Sequence, residues 1–168
     1  MNQQPVTTVS HDMRFRAYEC YFREFITWKC YRNIFNAACF IQVLLGSAFM
    51  ADIANGWGAG FIATVIASYI FVYNPGAIAH SAREQCARYE KIIHRLDSLT
   101  DAEISSTFSS LSDSDTCISD RVISAAYILA DTAVNGITER TATLKNNLTY
   151  SERVIVFISG CLIKTRCG

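Results

Sequence analysis

The chain has 168 residues, of which 51% are apolar and 18% charged, with acidic and basic side chains in exact balance. That length suits one compact domain or a small domain joined to a membrane segment, and a mean hydropathy of +0.18 is too low for a chain embedded in lipid throughout. Neutrality removes any global argument for a nucleic-acid or acidic partner, so direct nucleic-acid binding is not expected.

Residues 1–10 (MNQQPVTTVS) read as a flexible tail. Over 11–33, Phe15, Tyr18, Phe22, Phe25 and Trp28 recur at steps of three and four, which places them on one face of a helix. Arg14, Arg16, Arg23, Lys29 and Arg32 are spread among them. Aromatic bodies with long cationic stems suit a membrane interface, and equally a helix that buries its rings in a protein core. The spacing predicts an amphipathic interfacial helix over 11–33, with Trp28, Lys29 and Arg32 as anchors.

Residues 34–51 (IFNAACFIQVLLGSAFMA) and 56–73 (GWGAGFIATVIASYIFVY) carry no charge. Eighteen helical residues rise roughly 27 Å, close to the roughly 30 Å of a hydrocarbon core. Two such runs, separated by only a few residues, predict a transmembrane hairpin spanning 34–74. Trp57 is a further interfacial anchor. Basic residues precede the first run, none lies between the runs, and Arg83, Arg88, Lys91 and Arg95 follow the second. That asymmetry predicts cytoplasmic ends on both sides of the hairpin.

Asn74-Pro75-Gly76 then breaks or kinks the chain. Residues 77–99 read as a helix with Ala82, Cys86, Tyr89, Ile93 and Leu96 on one face. Thr100 and Glu103 have capping-box spacing, so a short helix begins there. The Ser- and Asp-rich residues 105–116 read as a loop. From Cys117 to Asn135 an apolar stripe predicts another helix, which Gly136 either interrupts or is tolerated within, as part of a longer helix running to Asn146. Thr149 and Glu152 form a second capping-box candidate ahead of the apolar run 153–163, too short to span a membrane. That run packs against the other helices or lies in the interface. The expected fold is therefore all-α: a transmembrane hairpin with a cytoplasmic helical region over 77–168.

Chemistry is harder to find. No phosphate-binding loop, nucleophile elbow or H-E-x-x-H motif occurs. The seven cysteines are scattered without a C-x-x-C, which argues for ordinary thiols in a reducing compartment and against a zinc site. His80 and His94 have no evident acidic partner. The expectation is a protein that is not an enzyme, with no catalytic residue, metal or cofactor.

The hairpin is more informative. Gly56, Gly60, Thr64 and Ser68 recur at steps of four in the second run, with alanines alongside, a small-residue face on which helix backbones approach closely. In the first run Gln42 and Gly46 line up with Ala38, and an amide at the depth of Gln42 is expected to face protein or water. The small face packs either within one hairpin or between copies, in which case Gln42, Thr64 and Ser68 border a lumen.

The order of features, an aromatic and basic helix ending in WKCYRN, a tight hairpin, then a helix opening AHSARE, resembles the SLATT superfamily, the short two-transmembrane effector domains of bacterial conflict systems. The resemblance is one of layout and covers roughly residues 11–147. It implies an oligomer in the bacterial inner membrane that permeabilises the bilayer in antiphage defence when a cytoplasmic regulatory or sensor protein triggers it. The alternative is a membrane-anchored adaptor or superinfection-exclusion protein, whose cytoplasmic helices bind a partner. A third arrangement, a bundle without a membrane segment, is separated from both by fractionation.

Overall fold

A computed structural model of the chain describes residues 9–50, 56–112, 115–116 and 120–161, with the backbone alone for 48–50, 56–57 and 112. Every regular element among these residues is helical. α1 (His11–Met50) is one uninterrupted helix of 40 residues, roughly 60 Å long. Composition changes sharply near residue 33, but no proline or glycine stands there to interrupt the backbone ladder, so both segments form one rod. The separate interfacial helix expected over 11–33 is thus the first half of a longer one. Its aromatic residues Phe15, Tyr18, Phe22, Phe25 and Trp28 are all half-buried, while Ala17, Ile26 and Thr27 of the same segment are buried.

α2 (Gly56–Tyr73) returns alongside the apolar half of α1. Asn74 ends it in the left-handed region, at φ 41°, and its side chain accepts a hydrogen bond from the Ala77 amide at 3.3 Å. Pro75, which lacks an amide hydrogen, occupies the start of α3 (Pro75–Arg95), where no intrahelical partner is needed. The turn sends α3 back along the first half of α1, where the Phe35 ring covers Gly76.

A short 3-10 turn at Leu96–Ser98 leads to α4 (Asp101–Ser112). Thr100 and Glu103 start α4 as their spacing predicts, the Thr100 amide donating to the Glu103 carboxylate at 2.8 Å. The helix then continues through Ser112, where the sequence reads as a loop. Ile104 and Phe108 are buried with Ala17, Tyr89, Ile92 and Leu96, and this cluster is what holds the serine-rich segment helical.

α5 (Asp120–Asn135) buries Val122, Ala125 and Ala126 against Ile26 of α1. Gly136, at φ 77°, ends it and decides the question that the sequence left open. α6 (Glu139–Asn146) is a polar helix fixed by reciprocal bonds between Thr138 and Thr141. Replacing Thr138 by alanine is expected to lower stability by about 1 kcal/mol, read as a shifted urea midpoint with an unchanged slope. α7 (Tyr150–Ser159) lays Ile155 and Val156 against α1 and α5 and ends at Gly160, φ 68°. The first half of α1 is therefore the spine of a bundle with α3, α4, α5 and α7, and the second half projects from it with α2.

Candidate functional site: an apolar hairpin and its basic collar

The projecting part of the molecule shows apolar side chains to its surroundings. Phe71 is 87% exposed, Phe61 71%, Val43 69% and Phe40 64%, with Ile41, Leu44, Ile62 and Val65 also exposed. In the bundle most such residues are buried, the exposed Ile137, Tyr150, Val154 and Phe157 apart, so the contrast largely follows the composition change along α1. Soluble monomers seldom present contiguous apolar patches beyond a few hundred Å² without a partner or a membrane to cover them. Taken singly, no helix among the described residues is long and apolar enough to cross a membrane. Gly58–Tyr73 together with Pro75–Ser98, bent by about 40° at Asn74, meets the length and composition only as a pair.

The residues singled out in the hairpin separate into two sets. Gln42 is half-buried and its amide donates to the Ala63 carbonyl at 3.5 Å, so its polar group is answered within the hairpin. Ala59, buried, and Ala63 and Ile66, half-buried, form the face of α2 turned toward α1. Gly60, Thr64 and Ser68 are exposed, and a Cβ at Gly46 or Gly60 meets nothing within 4 Å. Thr64 satisfies its hydroxyl on its own helix, donating to the Gly60 carbonyl at 2.8 Å. Within one copy, then, the glycine–threonine–serine row is not what closes the hairpin. Gly56 and the Trp57 ring fall outside the described side chains.

At the foot of the hairpin the expected anchors gather around one indole. Lys29 Nζ lies 4.6 Å from the Trp28 ring centroid, the Arg32 guanidinium 5.2 Å and the Arg83 guanidinium 5.6 Å. Lys29 also sits 5.4 Å over Phe25. Such contacts stabilise cations without neutralising them. The ion pairs among the described residues lie elsewhere: Arg14 with Asp97, Arg23 with Glu19, and the histidines with neighbouring carboxylates. His80 and His94, expected from the sequence to lack acidic partners, each have a glutamate one turn away, at 3.8 and 4.0 Å. Beside the collar, a groove of about 480 Å³ is lined by Phe22, Phe25, Lys29, Arg32, Asn33, Leu129 and Ser159–Cys161. Within this lining Asn33 donates to the Ile158 carbonyl at 2.6 Å.

The bundle also contains a buried carboxyl that the sequence did not single out. Glu24 is 1% exposed; one oxygen accepts the Thr116 amide at 3.0 Å, while the other has no hydrogen-bond partner among the described residues. Burial raises its pKa to about 7, against the weaker opposing effect of the Thr116 hydrogen bond. Nearby, Tyr89 donates to Asp115 at 2.8 Å, and burial pushes the Cys20 thiol up to about 11 and the Cys86 thiol up to about 12. These thiols are protonated and poorly nucleophilic near neutrality. Among the described residues no cluster of His, Cys, Asp or Glu could hold a metal ion. Compared with protein families, curated proteins and solved structures, the chain has no match in any of the three.

Proposed function

We propose that the chain is a two-span protein of the bacterial inner membrane, with both ends cytoplasmic, that acts as a non-enzymatic effector: copies assemble through the hairpin and permeabilise the bilayer when triggered. The observation that carries this reading is the exposed apolar surface of α2 and the second half of α1, against a normally buried core in the bundle. The outward row of Gly60, Thr64 and Ser68 supports assembly, because all three are exposed, nothing lies within 4 Å of a Cβ at Gly60, and the row is small enough for a second backbone to approach. Two helices per copy cannot enclose a pore, so activity requires an oligomer. The layout shared with SLATT effectors suggests antiphage defence, with a cytoplasmic sensor or regulator acting on the bundle.

The test is membrane potential in bacteria induced to express the chain, followed with a voltage-sensitive dye. Wild type is expected to depolarise the cells, and Gly60→Leu, at equal membrane level, to abolish most of the effect by wedging the helices apart. Equal depolarisation by both would remove the small-residue row from the mechanism. A second reading, an anchored adaptor, is favoured by the outer face of α7, where Tyr150 is 82% and Phe157 80% exposed with Val154 between them. It predicts that an unrelated hairpin can replace residues 34–74 without loss of function.

A further inference from the structure

We propose that Lys29, Arg32 and Arg83, gathered on the Trp28 ring, form a binding site for the phosphodiester headgroup of an anionic phospholipid. The inference rests on the membrane reading above and adds to it a specific lipid. Three cations at 4.6, 5.2 and 5.6 Å from one ring centroid repel each other, and the indole face attracts each without removing its charge. No carboxylate among the described residues pairs with them, although Arg14 and Arg23 are so paired on the same helix. The arrangement has the form of a site whose counter-charge comes from outside the chain.

Chemistry and position together select the anion. Two guanidinium groups offer the planar forks that match phosphate oxygens, and the ammonium adds a point charge. Lys29 and Arg32 also line the groove of about 480 Å³, with Phe22, Phe25 and Leu129 beside them, a volume in the range that accommodates a small ligand with apolar parts. The collar immediately precedes Ile34, where the uncharged run of α1 begins. With the hairpin in a bilayer, that is the depth of the headgroups, where anionic lipid and clustered basic residues attract. A free phosphate would gain nothing from either the apolar lining or the depth.

The experiment uses the full chain with Trp57→Phe, which leaves Trp28 as the sole tryptophan of the two in the sequence. The protein is reconstituted in phosphatidylcholine vesicles containing brominated phosphatidylglycerol or, at equal fraction, brominated phosphatidylcholine. Preferential quenching of Trp28 by the anionic lipid is expected, with apparent affinity falling on the order of fivefold for each cation replaced in the series Arg83→Gln, Arg32→Gln and Lys29→Gln. Removing the same charge from Arg88, Lys91 and Arg95 is expected to change the preference far less. Equal quenching by both lipids, with normal insertion, would overturn the site while leaving the membrane reading intact. An equal loss in the Arg88, Lys91 and Arg95 variant would overturn it in favour of diffuse surface charge, and relief of quenching by inorganic phosphate would overturn the lipid assignment. Failure of the unsubstituted protein to enter either vesicle would remove the membrane reading and this site together.

Discussion

Arginine at both Phe61 and Val65 is expected to release the protein from membranes if the hairpin spans them as proposed. Both side chains lie near the middle of α2 and are exposed, Phe61 by 71% and Val65 by 52%, so neither change disturbs a packed core. An arginine at the centre of a membrane helix costs about 2.5–3.5 kcal/mol on insertion-derived scales. Two therefore shift the insertion equilibrium by about 6 kcal/mol, on the order of 10⁴-fold. The measurement is the fraction of protein left in alkaline-washed membranes. The matching control carries arginine at Tyr150 and Phe157, which are more exposed still but lie on α7 in the bundle, and it should remain in the pellet with wild type. If the Phe61 and Val65 variant also stays, α2 does not occupy the bilayer core. If both variants leave, the attachment is a diffuse surface contact.

Glu24→Gln should stabilise the bundle above neutral pH and flatten its pH dependence. The carboxyl is protonated up to about pH 7 in the folded protein but ionises around its ordinary 4.5 when unfolded. Between those values the native state holds the extra proton, so stability falls as pH rises. Below about 4.5 both states are protonated and the difference vanishes; above about 7 the full burial penalty is present. Each pH unit inside the window is worth up to roughly 1.4 kcal/mol. Glutamine retains an acceptor for the Thr116 amide and carries no charge to bury. Of the groups around Glu24, burial moves Cys20, Cys86 and Tyr89 upward, well away from this window. Unfolding of the detergent-solubilised protein, followed by circular dichroism from acid to mildly alkaline pH, should show wild type losing stability across the window while the variant holds level. Parallel curves would mean that Glu24 is solvated in both states.

The sequence exposes best whatever depends on neighbours along the chain. The uncharged runs, the stripe of α3 and the capping pairs Thr100–Glu103 and Thr149–Glu152 are local patterns, and the helices they mark are present. The misreading of α4 has a local cause: its serines and threonines favour loops when they compete for backbone partners. Here Thr107 and Ser106 bond back to the Glu103 carbonyl, at 2.7 and 2.9 Å, within the helix. The stripe Ile104, Phe108 and Leu111 was the signal that could have revealed it. α6 was legible only as the end of a longer helix running to Asn146, because its own cap uses two threonines and it is polar on nearly every face.

Long-range features were not legible. Nothing near Glu24 announces that Thr116, 92 positions away in the chain, will cover it. Likewise Trp28, Lys29 and Arg32 could be chosen as anchors from their spacing, but Arg83 joins them only once α3 folds back along α1. The direction of the small-residue row also escapes periodicity. Placing Ala63 rather than Gly60 against α1 requires the rotation of α2 about its own axis, which a repeat of four does not fix.

The unbroken course of α1 makes the molecule a lever as much as a scaffold. With no hinge between the bundle and the hairpin, a rigid tilt of about 5° about one end of a roughly 60 Å helix displaces the other by about 5 Å. The return path is different: α2 and α3 meet at the bend of about 40° at Asn74, where a change in two backbone angles can absorb strain. One leg of the hairpin is thus stiffly geared to the bundle and the other is jointed to it. A push on the bundle would slide one leg past the other instead of carrying both along together.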